Sequence, residues 1–594
     1  MATTQSALNR RNFLAVTTRA GLASTLFPGV LWAMAEEKKA PVVTRDMIDE
    51  AAKVAGVSIA DEHKELMLDD LNTALDDFEA IHKLNMPNEV QPAVHFDPVL
   101  PGMKIDVGKR PIRMSAAPGV AAPKNLEDVA FYSVRQLAEL VRTRKVSSLA
   151  LTQMYLDRIK RYDPLLKLTI TLTEQRALAQ AKEADREIAA GKYRGPLHGL
   201  PWGAKDLLSV KGYPTTWGAG GFEEQTFDED AEVVNRLDRA GAVLVAKLTL
   251  GALAMGDVWF GGTTQNPWNI GQGSSGSSAG SASAAAAGCI AFGIGTETLG
   301  SISSPVTRCG VTGLRPTYGR VPRTGGMALT WSMDKIGPIC RAVEDCALVM
   351  AAINGPDGRD ASVHDVPWNW DAALDPKSLR IGYLKEDFEK EPNGDEEDDE
   401  DKKDARKRRL EQKKFDAAAL AVMRDRLGWK MVPVKLPELP FGSMLTVLTA
   451  EAAAAFDELT RSGRDKLLTA QKKEDWPNIF RAARFIPAVE YVNANRARTL
   501  GMQAMAKLFS EIDVIVAPTT SAQLIATNLT GHPAVILPNG FREDGTPVSI
   551  TFLGNLFRED QMLACARAYQ NSSDWHMRRP VLETPEGGAV KPKS

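Results

Sequence analysis

The sequence predicts an α/β fold with one mixed, mostly parallel central sheet, helices on both of its faces and a helical appendage at the N-terminus. From about residue 130 onward, segments of helical periodicity alternate with short apolar runs, a pattern typical of such sheets. The 594 residues are 44% hydrophobic, which is enough to bury a large core. The 25% of charged residues, the 47 Gly and the 34 Pro do not fit a disordered, collagen-like or coiled-coil chain.

The first 35 residues have the layout of an export signal. Their only charges are Arg10, Arg11 and Arg19, and the paired arginines stand before a Phe-Leu dipeptide. A basic start followed by an apolar middle is typical of such signals, and the arginine pair resembles the twin-arginine type. We therefore interpret residues 1–35 as a twin-arginine signal that is read by the twin-arginine export machinery.

The alternative for this segment is an N-terminal anchor helix or a frayed tail. Pro28 and Gly29 interrupt its apolar run, which is also shorter than the ~20 residues that a membrane span needs. The run ends in the small-residue exit Ala33-Met34-Ala35. We therefore expect cleavage near Ala35 and a periplasmic or secreted mature protein without a stable membrane span.

Residues 36–129 are predicted to be a helical appendage followed by a linker. Apolar residues recur at helical spacing from Thr44 to Leu84, with a break at Gly56. From residue 86 to 125 no period is visible and Pro and Gly are frequent, which is typical of a connecting segment.

Residues 130–594 are predicted to form the main domain. Its first helices are expected at Ser133–Arg144, Ser148–Tyr162 and Thr173–Ala190, and strands at residues 242–246, 290–294, 379–383 and 514–517. Residues 385–414 form an acidic and then basic run. Such a run is expected to be a solvated insertion, with a docking element for a partner as the alternative.

Charge, cysteine and histidine counts exclude several classes of function. With 72 basic and 75 acidic residues the formal charge is −3, and removal of the three signal arginines leaves −6. This balance lacks the basic stripe that a nucleic-acid surface needs. The five Cys are scattered, and the seven His include no HxH or HExxH spacing. We therefore expect neither a disulfide framework nor a metal site.

The segment from Gly271 to Gly288 is dominated by Gly, Ser and Ala. Its composition fits a flexible linker, but a linker is not expected in the middle of a domain. Gly271, Gly273 and Gly276 also fit the dinucleotide-binding fingerprint, which requires a preceding strand that the sequence does not predict.

A second pattern in this segment fits the nucleophile elbow of α/β-hydrolases. Gly276, Ser278 and Gly280 have the required spacing, and His532 or His576 could supply the base. The elbow must follow a strand of the central sheet and precede an Asp and then a His. The lack of a predicted strand argues against it, and Ser278 stays an alternative nucleophile.

A third pattern uses more of the chain. Lys205 lies in Gly199–Asp206, Ser277 lies in Gly276-Ser277-Ser278, and Ser301 lies in Gly295–Pro305. In this order the three motifs resemble the amidase signature family, whose catalytic unit is a Lys, a Ser in a cis peptide and a nucleophilic Ser. The two serines of that family are 24 positions apart, as are Ser277 and Ser301 here. The resemblance extends over about residues 130–570.

The resemblance implies a role for each of the three residues. Ser301 would attack the acyl carbon, Ser277 would relay its proton, and Lys205 would accept it once its pKa falls well below the usual ~10.4. The backbone N–H groups of Thr298, Leu299 and Gly300, together with that of Ser301, would form the oxyanion hole. This chemistry requires no metal and no organic cofactor.

Departures from the family pattern bear on the substrate. Glu297, Leu299 and Ser303 stand where the family most often has Asp, Gly and Arg, a form similar to bacterial peptide amidases. The segment Ala254, Met255 and Gly256 matches the family's acyl site. The aromatic residues near matched motifs indicate either an apolar acyl pocket or core packing, and they are Trp217, Trp259, Phe260 and Trp331.

The sequence thus predicts an exported amidase that hydrolyses a small-molecule carboxylic amide. Two alternatives are an esterase or carbamate hydrolase with the same triad, and a non-catalytic binding protein on an amidase scaffold. An amidotransferase of the type that acts on aminoacyl-tRNA, which would share the triad, conflicts with an export signal and with the absence of a basic patch. The substrate, whether a linear amide, peptide amide, anilide, carbamate or ester, and the oligomeric state are left open.

Overall fold

The computed structural model describes residues 42–84, 87, 88, 90, 94, 96–391 and 400–582. The predicted export signal lies outside the described residues. The chain divides into two compact units, a small one with residues up to Pro87 together with Phe485–Pro487, and a large one with the remainder. The domain limits at residues 35 and 129 stay predictions.

Among the described residues of the small unit, most belong to two helices, α1 (Arg45–Ala55) and α2 (Asp61–His82). The Thr44 side chain accepts a hydrogen bond from the Met47 N–H at the start of α1, and Gly56 ends that helix with a φ of 67°. A hydroxyl cap and a left-handed glycine are ordinary helix ends, so the predicted helical region and its break are confirmed.

The large unit carries the other α-helices of the described chain. In chain order they are α3 (Val134–Arg142), α4 (Ser148–Leu166), α5 (Glu174–Ala189), α6 (Glu232–Arg239), α7 (Ala279–Ala286), α8 (Ser303–Cys309), α9 (Val343–Ile353), α10 (Lys385–Glu389), α11 (Glu400–Ala421), α12 (Thr446–Ala455), α13 (Asp457–Arg461), α14 (Trp476–Ala483), α15 (Ala488–Glu511), α16 (Gln523–Leu529) and α17 (Glu559–Gln570). Across the described residues, no helix is both long and apolar enough to cross a bilayer.

The strands of the large unit form one central sheet and two short hairpins. In chain order they are β1 (Thr169–Leu172), β2 (Pro201–Lys205), β3 (Val243–Leu248), β4 (Val258–Trp259), β5 (Gly262–Thr263), β6 (Gln265–Asn266), β7 (Asn269–Gly273), β8 (Phe292–Glu297), β9 (Thr312–Arg315), β10 (Lys335–Cys340), β11 (Ile381–Leu384), β12 (Met431–Val434), β13 (Val514–Pro518), β14 (Ala534–Phe541) and β15 (Pro547–Gly554).

The central sheet has eleven strands in the described chain, in the order β1-β3-β2-β8-β10-β9-β14-β15-β13-β11-β12. The pairs β3–β2, β2–β8, β13–β11 and β11–β12 are parallel. The six other pairs are antiparallel. The predicted mixed sheet is confirmed, although antiparallel pairs outnumber parallel ones because the middle of the sheet is antiparallel.

Apolar residues are buried on both faces of this sheet. Leu244 belongs to one core cluster, whereas its neighbours Val243 and Val245 belong to another. Successive side chains of a strand point to opposite faces, so the two clusters lie on opposite sides of β3. Helix α9 contributes Val349 to the first cluster, and helix α5 contributes Ala181 to the second. The predicted helical cover on both faces is thereby confirmed.

One local expectation is corrected by the structure. A strand, β7, does precede Gly276 and Ser278, but it pairs with β6 in a separate hairpin and not with the central sheet. In the charged run, Glu400 begins helix α11, and the side chains at 406–410 are exposed or half-buried, so the solvated insertion stays a prediction. Asp416 of α11 is buried and accepts a hydrogen bond from Asn539 of β14.

The order of the strands brings the ends of β2 and β8 and the start of β10 to one edge of the sheet. Strands β2, β3 and β8 are parallel neighbours, so Lys205 at the end of β2 lies beside the turn that follows Glu297. Strand β10 runs antiparallel to β8, and its first residue, Lys335, pairs with Glu297. This edge is where the functional site is built.

Candidate active site

Lys205 is the centre of a buried group of hydroxyls. It is the last residue of β2 and its side chain is fully buried. Its Nζ donates hydrogen bonds to Ser277 Oγ at 2.8 Å, to Thr296 Oγ1 at 2.9 Å and to Ser278 Oγ at 3.2 Å. A lysine held by neutral groups gains little compensation for the loss of water around its charge.

The surroundings of Lys205 favour its neutral amine. Burial lowers the pKa of Lys205 from 10.5 to about 7, and the charges of Asp334 and Glu297 oppose this shift only in part. Near pH 7 the two protonation states are therefore present in similar amounts. An amine with this pKa can take a proton from a hydroxyl and return it later.

Ser277 and Ser278 lie side by side but differ in their contacts. The peptide bond between Gly276 and Ser277 is cis, as the resemblance implies. Ser278 Oγ donates to the Thr296 carbonyl at 3.1 Å and accepts from the Thr296 N–H at 3.1 Å. The Ser278 hydroxyl is therefore tied into the end of β8, an arrangement that suits a structural role better than that of a nucleophile.

The glycines of this segment permit close backbone approach. A Cβ atom at Gly276 would lie 1.8 Å from the Gly256 carbonyl oxygen, and one at Gly280 would lie 2.4 Å from the Leu168 carbonyl oxygen. Any side chain at either position would collide with backbone. The Gly-rich composition therefore reflects tight packing and not a flexible linker.

Ser301 lies on the turn that connects β8 to α8. Gly300 has a φ of 88° in this turn, a left-handed conformation that favours glycine. The Ser301 carbonyl accepts a hydrogen bond from the Ser278 N–H at 3.0 Å, which joins the turn to the Gly/Ser segment. The predicted oxyanion-hole residues Thr298 and Leu299 precede Gly300 in the same turn.

Glu297 holds this turn through hydrogen bonds to the residues that follow Ser301. One of its carboxylate oxygens accepts from the N–H groups of Ile302 at 2.9 Å and Ser303 at 2.8 Å, and from Ser303 Oγ at 2.8 Å. The other oxygen accepts from Arg315 at 2.8 Å and from Asn528 at 2.9 Å. Ser303, which replaces a family cation, thus supports the turn and does not supply a charge.

The ionisation of Glu297 follows from these contacts. Burial raises the pKa of a carboxyl group, but Arg315, Asn528 and the Ser303 N–H outweigh that effect and lower the pKa of Glu297 to about 2. Glu297 and Arg315 are both fully buried. A buried pair of this kind loses stability when one partner is removed, because the other charge is left uncompensated.

Glu297→Gln is expected to lower the free energy of unfolding at pH 7 by about 3–5 kcal/mol. The pKa of Glu297 is depressed to about 2 from an ordinary value of 4.5. The carboxylate therefore stabilises the fold above pH 4.5, and this contribution is lost as the pH falls toward 2. Urea unfolding of both proteins across this range measures the effect, and a difference independent of pH would contradict it.

A cavity of about 130 Å³ lies beside this turn. Its apolar lining comprises Leu207, Ala254, Met327, Ala328, Leu329, Trp331 and Ile336. Its polar lining includes Thr296, Thr298, Arg323, Asp334, Lys335 and Arg359. A cavity of ~150 Å³ can hold a benzene ring, so this one admits a compact group beside Thr296 and Thr298.

The predicted acyl-site residues divide between the cavity and its surroundings. Ala254 lines the cavity, whereas Gly256 packs against Gly276 and Met255 packs against the core. Of the four aromatic residues only Trp331 is part of the lining. Trp217 belongs to the core, where its ring contacts three Phe rings.

Sequence reasoning missed two residues of this site. Thr296 binds Lys205, and Asp334 accepts a hydrogen bond from Thr298 Oγ1 at 2.5 Å. Alternation along β8 could have shown that Thr296 and Glu297 face opposite sides of the sheet. The contact of Asp334 joins positions 36 residues apart, and no local pattern indicates it.

A model of the amidase family matches residues 150–526. The match spans more than half of the chain and includes Lys205, Ser277 and Ser301. The chain belongs to the amidase family. It is an enzyme of the class that acts on amide C–N bonds.

Two relatives of 30% identity or more support this assignment, and a third protein shares the fold alone. The A subunit of the glutamyl-tRNA(Gln) amidotransferase of Roseiflexus castenholzii is 34% identical over 496 residues, 76% of this chain and 97% of that protein. The native peptide amidase of Stenotrophomonas maltophilia has a TM-score of 0.64 and 30% identity, and the match covers 76% of this chain and 99% of that one. An amidase family protein from Bacillus anthracis shares the fold, with a TM-score of 0.65 and 24% identity over 77% of this chain and 93% of that one.

Proposed function

We propose that this protein is an exported amidase that hydrolyses a carboxylic amide through an acyl-enzyme on Ser301. The observation that carries the proposal is the 2.8 Å contact between Lys205 Nζ and Ser277 Oγ, made by a buried amine beside the turn that holds Ser301. This contact supplies a base without histidine.

The acylation step follows from this arrangement. Neutral Lys205 takes the proton of Ser277, and Ser277 takes the proton of Ser301, whose oxygen bonds to the acyl carbon. The carbonyl oxygen becomes an oxyanion that accepts from N–H groups of the turn, Thr298 to Ser301. The C–N bond then breaks, and the amine leaves with the proton that returns from Lys205 through Ser277.

Water completes the reaction by the same route. It gives a proton through Ser277 to Lys205, and its oxygen bonds to the acyl carbon. The bond between this carbon and Ser301 Oγ breaks, and Ser301 recovers its proton from the relay. The carboxylic acid is released and the enzyme returns to its starting state.

The cavity supports an uncharged acyl group as substrate. Arg323 is neutralised by Asp360, which accepts from it at 2.9 and 3.1 Å. Arg359 pairs with Glu229 at 2.8 Å. The charges of these two arginines are thus compensated within the protein, while seven apolar side chains supply the walls. Compact alkyl or aryl amides suit such a lining, and anionic substrates do not.

A substrate panel tests this function. The purified mature protein, from which the predicted signal has been cleaved, is expected to hydrolyse neutral alkyl and aryl amides faster than their carboxylate-bearing analogues. Matched esters and carbamates compare the alternative hydrolase activities in the same assay. Cleavage of esters or carbamates with no cleavage of any amide would contradict an amidase.

The export signal is tested by a double substitution in the full-length chain. Arg10→Lys with Arg11→Lys keeps the charge but removes the arginine pair that the twin-arginine machinery reads. We expect at least about tenfold less protein in the periplasmic fraction, with the uncleaved chain retained in the cytoplasm. An unchanged distribution between the fractions would contradict twin-arginine export.

The similarity to a glutamyl-tRNA(Gln) amidotransferase supports a second candidate, in which this chain is one component of such an enzyme. It would then show its full activity only with its partner chains and glutamyl-tRNA(Gln). Hydrolysis of simple amides by the isolated chain, unchanged by added glutamyl-tRNA(Gln), is the result that separates the exported amidase from this candidate.

A further inference from the structure

We propose that Asp334 is a positioning residue that couples the oxyanion turn to the wall of the substrate cavity. This inference rests on the proposed function, because it assigns the turn from Thr298 to Ser301 to oxyanion binding. It adds a residue outside the three motifs of the sequence, in the loop that directly precedes β10.

Asp334 is placed opposite Thr298 by the sheet. It directly precedes β10, whose first residue, Lys335, pairs with Glu297 of antiparallel β8. Asp334 and Thr298 are the next residues outward on the two strands. Thr298 Oγ1 donates to Asp334 Oδ1 at 2.5 Å, so the first residue of the turn is fastened to β10.

The second carboxylate oxygen of Asp334 holds the cavity wall. Its Oδ2 accepts from the Leu329 N–H at 2.8 Å and from the Thr330 N–H at 3.1 Å. Leu329 and the nearby Trp331 line the cavity, as do Thr298 and Asp334 themselves. One side chain thus bridges the wall that would contact the acyl group and the turn that would bind its oxyanion.

Through this bridge, a group bound in the cavity affects the geometry of the turn. A substrate that fills the cavity presses on Leu329 and Trp331, and the carboxylate transmits any displacement to Thr298. Catalytic geometry is sensitive to such shifts, since a 1 Å misplacement can lower a rate by ~10²-fold. Without Asp334, two backbone N–H groups and the hydroxyls of Thr298 and Thr330 would also lose an acceptor.

The charge of Asp334 gives a second, independent readout. Lys205, Lys335 and Arg323 are the cations whose pKa values it influences, and Glu297 is the other carboxylate that acts on Lys205. The negative charge of Asp334 favours protonated Lys205. Its removal is therefore expected to lower the pKa of Lys205 further below its usual range.

Two variants separate the hydrogen bond from the charge. Asp334→Asn keeps the shape of the side chain but removes its charge. This variant is expected to lower kcat about 10- to 100-fold and to move the ascending limb of the pH–rate profile to lower pH. Thr298→Val removes the hydroxyl alone and is expected to lower kcat with the limb unmoved. Thr298→Ser is expected to recover most of the rate lost in Thr298→Val.

The kinetics of the two variants, with thermal unfolding as a check of folding, decide the proposal. Unchanged kcat in both variants, while hydrolysis still depends on Ser301, would overturn it and leave the proposed function intact. Loss of rate in Asp334→Asn with an unmoved limb, and no effect of Thr298→Val, would reduce Asp334 to a structural residue. Hydrolysis that survives Ser301→Ala would instead overturn the proposed function.

Discussion

Replacement of Ser301 by Ala is expected to lower the rate of amide hydrolysis by a factor on the order of 10⁴ to 10⁶. The substitution removes the only atom that would bond to the acyl carbon and leaves the oxyanion turn and the cavity in place. Substrate binding should therefore survive while turnover is lost. Ser301 is nearly buried, with 8% of its surface exposed, and the loss of one hydroxyl leaves its backbone contacts intact.

Ser278→Ala is the matched control for this prediction. Ser278 is one position from Ser277 and also contacts Lys205, but its hydroxyl is bonded to both backbone groups of Thr296. We expect a measurable residual rate, reduced through displacement of Thr296. A dead Ser278→Ala with an active Ser301→Ala would instead support the hydrolase elbow built on Ser278.

The pH dependence of kcat/KM is expected to show an ascending limb with a midpoint near pH 7. Burial lowers the pKa of Lys205 to about 7, and only the neutral amine accepts a proton. Below this value the rate should fall roughly tenfold per pH unit, and above it the rate should level off. A limb near the ordinary lysine value of 10.5 would contradict a role for Lys205 as base.

Substitution of Lys205 tests the same role directly. Lys205→Met keeps the apolar stem and removes the amine, and we expect a loss of about 10²- to 10⁴-fold in kcat. Lys205→Arg is the informative companion, because a guanidinium stays protonated at every accessible pH and cannot accept the proton. An active Lys205→Arg would show that position 205 supplies charge and not base chemistry.

The sequence is informative about the fold where its signals are local. The apolar runs at residues 514–517 and 242–246 fall within β13 and largely within β3 of the structure, and Gly56 ends a helix as expected. The order of the strands is set by pairings between distant segments, such as β9 with β14. Such pairings leave no periodic pattern, so the sequence does not reveal the share of antiparallel pairs.

In the candidate active site, too, the residues of local motifs could be predicted from the sequence, whereas contacts between distant segments could not. The order of three motifs leads to Lys205 and Ser277, and the structure brings their side chains together. Contacts between strand ends that are distant in sequence, such as Asp334 with Thr298, are not visible in the sequence. The hydrogen bond from Asn539 of β14 to Asp416, just beyond the charged run, likewise joins distant segments and leaves no local pattern.

The most direct test of an acyl-enzyme on Ser301 is the site of covalent labelling by a fluorophosphonate probe. After reaction of the purified protein, peptide mass mapping should place the adduct on Ser301, with labelling blocked by an amide substrate and absent in Ser301→Ala. An adduct on Ser278, or undiminished labelling of Ser301→Ala, would contradict the mechanism.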